Sequence, residues 1–209
     1  MKKNLTLILL VSVFISVLSP SPSVQAADSG SSNRIHPFDY PQTDNYPEEI
    51  NAVIEVPQGS LIKYEIDAET GYVIADRYQS MSVQYPGNYG SIPQTIGGDG
   101  DPLDVLVLTR EPLVPGTVVK VRAIGMMKMI DDGEQDDKVI AVPVSDVDPT
   151  YDNVQDISDL PKIQAEQIEM FFKVYKLLPS NRKVVETSGF ADKATAEVEI
   201  NQALQRYKD

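Results

Sequence analysis

Cysteine is absent from the 209 residues, which excludes disulfides, thiolate metal sites and a cysteine nucleophile. Histidine occurs once, as His36 in the Ser/Pro-rich stretch SSNRIHPFDYP. A Ser-His-Asp triad or a histidine-rich zinc centre is therefore excluded as well. Basic runs are also missing: 18 Lys and Arg face 31 Asp and Glu, for a net charge of −13. So acidic a chain cannot neutralise a phosphate backbone or an anionic membrane surface, and cations or small ligands are the partners expected of it, not nucleic acid.

Long apolar runs are confined to the beginning. Lys2 and Lys3 precede an apolar stretch from Leu5 to Leu18, and Val24-Gln25-Ala26 forms a small-x-small site ahead of Ala27. These are the three parts of a secretory signal peptide, expected to be cut after Ala26. As a membrane span the stretch falls short of about 20 residues, and no Cys is present for lipid attachment. The expectation is export to the periplasm or the medium, with no stable membrane association after cleavage. Cleavage removes Lys2 and Lys3, so 183 residues with a net charge of −15 remain, enough for one domain.

Residues 27–47 are polar and Pro-rich and are expected to form a flexible arm; the folded domain is expected over residues 48–209. Seven β-like runs follow: AVIEVP, LIKYEID, YVIADR, VLVLT, TVVKVRAIG, MMKMID and KVIAVPV. Close spacing without intervening helices predicts a small antiparallel barrel or sandwich. The helices come late. Ile168, Phe171, Phe172 and Tyr175 recur at helical spacing, as do Ile200, Ala203, Leu204 and Tyr207 in a second helix over 191–207. Strands first and helices last indicate an α+β, mainly β, domain.

The segment GGDGDPLDVLVL places Asp99, Asp101 and Asp104 within six residues, just before an apolar strand. Crowded carboxylates repel unless a hard cation such as Mg²⁺, Mn²⁺ or Ca²⁺ binds them. Gly100 permits a tight turn and Pro102 fixes φ, so the three acids can converge from a rigid loop. An EF-hand is excluded, because Pro102 and Leu103 interrupt its pattern and its closing Glu position holds Arg110. A second acidic stretch, Asp131, Asp132, Gly133, Glu134, Gln135, Asp136, Asp137, is either a solvated hairpin loop or a second metal-binding loop facing the first. Period-2 alternation puts Lys63 and Glu65 on one strand face, and Asp136 beside Lys138. Arg77, Tyr175, Lys176 and the tyrosines Tyr85 and Tyr89 add donors. Acids for metals with a few cationic and phenolic donors describe a site for a highly charged phosphate compound and metal-assisted phosphoryl hydrolysis.

At DGDPLDV the chain resembles the soluble family I inorganic pyrophosphatases, matching the signature D-[SGDN]-D-[PE]-[LIVM]-D-[LIVMGAC] at each position. The resemblance continues through IEVP, IKYEID, DR, YPGNYG, KMIDDGEQDDK, VIAVP and FFKVYK in family order. It implies an OB-like five-stranded antiparallel barrel with flanking strands and C-terminal helices. It implies hydrolysis of pyrophosphate to two orthophosphates by a metal-bridged water, with several Mg²⁺ per site, Mn²⁺ or Zn²⁺ as substitutes and Ca²⁺ as an inhibitor. By this resemblance Asp99, Asp104 and Asp136 hold an activating metal, Asp104 bridges to a second, Asp131 and Asp136 bind a substrate-borne one, and Glu65 contributes to a further site. Asp101 is the position that deprotonates or orients the water, with Tyr89 and Arg77 as the other catalytic positions. Lys63, Arg77, Tyr89, Lys138, Tyr175 and Lys176 match the phosphate contacts, and Glu55, Tyr85 and Asp132 other cavity positions. Asp132 stands where the family often has Glu. The resemblance also implies a homo-oligomer, hexamer or dimer. Two other classes compete: an exported module that binds Ca²⁺ or a phosphate compound without catalysis, and a phosphatase for other substrates.

Overall fold

The computed structural model describes residues 35–180 and 185–209. The expected signal peptide and the first part of the arm lie outside the described residues. Residues 35–209 form one compact unit. Its strands are β1 (Ile50–Val56), β2 (Ile62–Ile66), β3 (Val73–Tyr78), β4 (Asn88–Ser91), β5 (Asp104–Val107), β6 (Val118–Asp131), β7 (Glu134–Gln135), β8 (Lys138–Pro143) and β9 (Val185–Asp192). Two helices, α1 (Lys162–Val174) and α2 (Lys193–Lys208), complete it.

Five strands close a ring: β1 pairs with β4, β4 with β5, β5 with β8, β8 with β6, and β6 returns to β1. This is the OB-like barrel that was expected, with one difference, since β5 and β8 run parallel. The strand β6 carries the ring. Its 14 residues also pair with β7 and β9, and the two runs TVVKVRAIG and MMKMID are halves of this single strand. The register shifts between Ala123 and Gly125. A Cβ on Gly125 would stand 2.7 Å from the Ala191 carbonyl oxygen, so only glycine lets β9 lie so close. The pair β2–β3 forms a separate hairpin.

The faces of the ring strands feed two cores. Val105 and Val107 pack with Ala196, Ile200 and Ala203 of α2. Leu106 and Leu108 pack with Ile168, Phe171 and Phe172 of α1, at the spacing the sequence predicts. Strands buried on both faces are continuously apolar rather than alternating, which accounts for VLVL and VIAV. The helix α2 starts on Asp192, whose side chain accepts from the Thr195 amide at 2.9 Å. That cap satisfies a helical amide that has no intrahelical acceptor.

The described part of the arm is hydrogen-bonded to the domain. Gln42 donates to the carbonyls of Asn51 (3.2 Å) and Pro93 (2.8 Å), and the Asn51 amide donates back to Gln42 at 2.8 Å. The Gln42 side chain, paired with backbone groups of the domain, holds this polar stretch against it, a contact that its composition does not reveal.

Candidate active site

The loop 97–104 owes its shape to local bonds. The Asp101 amide donates to the Asp99 side chain at 3.1 Å, and the Gly97 amide to the Asp101 carbonyl at 2.6 Å. Gly100 sits at φ +91°, a conformation that glycine adopts without strain. A Cβ on Gly98 would come within 2.8 Å of the Gln135 carbonyl oxygen. The absent side chain lets the first acidic loop rest on β7 of the second, so the two face one mouth of the barrel.

That mouth is a cavity of about 790 Å³. Glu55, Lys63, Glu65, Arg77, Tyr85, Tyr89, Asp99, Asp101, Asp104, Asp131, Asp136, Tyr175 and Lys176 all line it. Residues from β1, β2, β3, β4, the 97–104 loop, β6 and the end of α1 thus meet at one place. Lys138 lies just behind the lining, 1% exposed, and its ammonium donates to both Asp104 and Asp136. Asp132 departs from expectation. It is exposed in the two-residue turn between β6 and β7, with φ +55°, and is not among the residues that line the cavity.

Alternation along β2 brings Lys63 and Glu65 together as an ion pair on the cavity side. Opposite them β3 carries a bulge: Lys63 faces Arg77 while Tyr64 faces Ala75, so Asp76 is the extra residue. The Asp76 carboxylate accepts from Arg77 and lies 3.9 Å from the Lys63 ammonium. Lys176 pairs with Asp131. Under these groups Tyr85, Tyr89, Phe171, Phe172 and Tyr175 form an aromatic floor, with ring centroids 4.8 Å apart for Tyr85–Phe171 and 5.6 Å for Phe172–Tyr175. Burial raises the hydroxyls of Tyr85, Tyr89 and Tyr175 above the ordinary phenol range, so they remain protonated donors. Glu55, which accepts from the Ser91 hydroxyl, is pushed up to about 8 by burial. Asp101 is raised by burial and by the charge of Asp99. Burial opposes the charge of Lys138, but Asp104 and Asp136 outweigh it and raise the ammonium.

Sequence reasoning missed Ser91, Asp76 and Glu134, which also lines the cavity. Ser91 sits on β4, a strand hidden in the turn-rich segment YPGNYGSIP. Glu134 lay within the second acidic stretch but had no distinguishing partner.

The chemistry of the donors fits divalent cations. Nine carboxylates line the cavity against three cationic side chains, an excess that repels any anion unless cations accompany it. Two buried polar atoms, Asp131 Oδ1 and Arg77 Nε, have no hydrogen-bond partner among the described residues. Both belong to this cavity, one an acceptor suited to a cation and the other a donor suited to an anion. Among the described residues no three carboxylates converge into a ready-made coordination shell, since Lys138 stands between Asp104 and Asp136 and Lys176 holds Asp131.

Comparison with known proteins gives the family of the chain. A family model described as inorganic pyrophosphatase matches residues 52–208. An inorganic pyrophosphatase of Aquifex pyrophilus is 46% identical over 172 residues, 81% of this chain and 96% of that protein. One of Gluconobacter oxydans is 48% identical over 162 residues, 78% of this chain and 93% of that protein. The crystal structure of inorganic pyrophosphatase from Thermus thermophilus superposes with a TM-score of 0.80 at 41% identity, covering 84% of this chain and all of that one.

Proposed function

The chain belongs to the inorganic pyrophosphatase family and is an enzyme of that activity, and from this premise we propose a Mg²⁺-dependent hydrolysis of pyrophosphate carried out by the cavity residues outside the cytoplasm. The two orphaned polar atoms carry the proposal, because a free acceptor on Asp131 and a free donor on Arg77 in one cavity suit a diphosphate bound with divalent metal. Asp99, Asp104 and Asp136 would hold one metal, Asp131 and Asp136 another, and Glu65 a further one. Bound there, the cations would neutralise the carboxylates and the diphosphate and acidify a water.

The remaining work falls to the chain's own groups. Lys63, Arg77 and Lys176 donate to the phosphoryl oxygens, and Tyr89 and Tyr175 add neutral hydroxyl donors on a rigid aromatic floor. Lys138, buried between Asp104 and Asp136, holds those carboxylates apart and oriented. Asp101 is the proton acceptor for the attacking water. Its side chain has no hydrogen-bond partner among the described residues, and its raised affinity for protons makes it a better base. As the water oxygen bonds to one phosphorus, the bridging P–O bond breaks, and the cationic donors stabilise the departing phosphate.

Phosphate release from pyrophosphate by purified residues 27–209, with and without Mg²⁺, tests this directly. Ca²⁺, larger and looser in coordination, is expected to inhibit. Calcium binding without any phosphate release under Mg²⁺ would instead make the chain a binding module. Residues 1–26 are proposed as a signal peptide that exports the enzyme, to be checked by fractionation and N-terminal sequencing of the mature protein. Residues 48–209 are proposed as the catalytic domain. Self-association into dimers or hexamers is proposed from family membership, and light scattering on the purified chain measures it.

A further inference from the structure

One buried carboxylate of the second acidic stretch takes no part in the cavity lining. Asp137 is 6% exposed and lies between Asp136 and Lys138, yet it does not border the cavity. Alternation accounts for this: Asp136 and Lys138 pair with each other, and Asp137, between them, bonds elsewhere. Both of its oxygens are engaged. Oδ1 accepts from the Met129 amide of β6 at 2.9 Å, and Oδ2 accepts from the Lys128 ammonium and the Gln135 side-chain amide, each at 2.8 Å. The Asp136 amide adds a bond to the Met129 carbonyl oxygen at 2.9 Å. Residues 136 and 137, which link β7 to β8, are thus fastened to β6 by backbone and side chain, and an ionised acceptor makes such bonds stronger.

The Gln135 side chain that Asp137 holds is also the seat of the first acidic loop. A Cβ on Gly98 would stand 2.9 Å from the Cβ and 3.3 Å from the Cγ of Gln135, so the loop backbone rests on that side chain. A displacement there reaches Asp99, because the loop is closed on itself by the bonds from the Asp101 amide to Asp99 and from the Gly97 amide to the Asp101 carbonyl. Asp99 and Asp136, one from each loop, sense each other across the mouth: burial raises the Asp99 carboxyl, and the charge of Asp136 adds to the rise.

Resting on the pyrophosphatase reading of the site, we infer that Asp137 is a positioning residue, which through Gln135 and the β6 backbone fixes the spacing of the two acidic loops and with it the grip of Asp99 and Asp136 on a shared divalent cation. Carboxylates on separate loops bind one ion tightly where the loops are held in place beforehand, since that order is not then lost on binding. Groups that orient metal ligands from behind typically change affinity by about 10–100-fold when removed. Asp137 acts through a side chain and a backbone rather than on a ligand directly, so a smaller effect, at least about fivefold, is expected of it.

The test is Mn²⁺ binding by the full chain without substrate, read from the electron paramagnetic resonance of the free ion, with melting in EDTA and circular dichroism alongside. Asp137→Asn and Gln135→Met are each expected to raise the Mn²⁺ dissociation constant at least about fivefold. Gln135→Met removes no charge, so its effect cannot come from a weaker negative field. It also sits at an exposed position, and decides the matter alone if Asp137→Asn does not fold. Less than a fivefold change in either folded variant overturns the positioning role, and a lower melting temperature with unchanged Mn²⁺ affinity makes Asp137 a structural residue only. A wild-type chain that neither binds Mn²⁺ nor releases phosphate from pyrophosphate overturns the underlying reading of the site instead.

Discussion

Glu55 offers a quantitative check on the electrostatics of the cavity. Its side chain is 7% exposed, accepts a hydrogen bond from Ser91, and has its proton affinity raised from 4.5 to about 8, chiefly by burial, with Asp104 and Glu65 adding to the rise and Lys63 opposing it. Between those two values the unfolded carboxyl has lost its proton and the folded one has kept it, so the folded state binds more protons and stability falls as pH rises. Below 4.5 both states are neutral and the effect vanishes; above 8 both are charged and it is complete. At about 1.4 kcal/mol per pH unit, the shift corresponds to roughly 5 kcal/mol across the window. Glu55→Gln keeps an acceptor for Ser91 and cannot ionise. In EDTA, urea unfolding of both proteins at pH 5, 6.5 and 8 should show the variant gaining on the wild type by about 3–5 kcal/mol toward the alkaline end. Any constant packing cost of the amide offsets the curves without changing this divergence. Parallel profiles from pH 5 to 8 would refute the reasoning, because the folded carboxyl would then already be ionised.

Three further outcomes are expected. Asp101→Asn should fold normally by circular dichroism and lose about a hundredfold or more in kcat, the scale of a general base; near-normal turnover would remove Asp101 from that role. Lys138→Met leaves Asp104 and Asp136 without their shared ammonium and should lower stability in EDTA by about 3–5 kcal/mol, and a loss under about 1 kcal/mol in urea titration would show that the two carboxylates are adequately solvated. Gly90→Ala should not yield folded protein, since its Cβ would stand 1.9 Å from the Val53 carbonyl oxygen across the β1–β4 pairing; soluble variant with a wild-type melting curve would contradict that packing.

Much of the site was legible before any coordinates, because its chemistry sits in short spacings. Asp99, Asp101 and Asp104 share one loop, Lys63 and Glu65 one strand face, and Ile168, Phe171, Phe172 and Tyr175 one helix face, and each pattern is local. Asp132, matched to a cavity position by resemblance, sits instead in a positive-φ turn outside the lining, a placement that the motif alone does not carry. The strand β4 was missed because Asn88, Gly90 and Pro-flanked turns mask it, and its burial comes from the neighbours β1 and β5. The described arm residues looked loose because polar composition cannot show that Gln42 and His36 find backbone partners far along the chain.

By itself, the sequence determined the excess of carboxylates, the exclusion of thiol and triad chemistry, the helical faces and the acidic loop, since composition and period depend only on neighbours along the chain. Only the tertiary structure decided the closure of the ring and the parallel pairing of β5 with β8 that sets Lys138 beside Asp104. It also decided the bulge that turns Asp76 toward Lys63 and Arg77. These depend on strand register and on contacts between residues tens of positions apart, which no local pattern encodes.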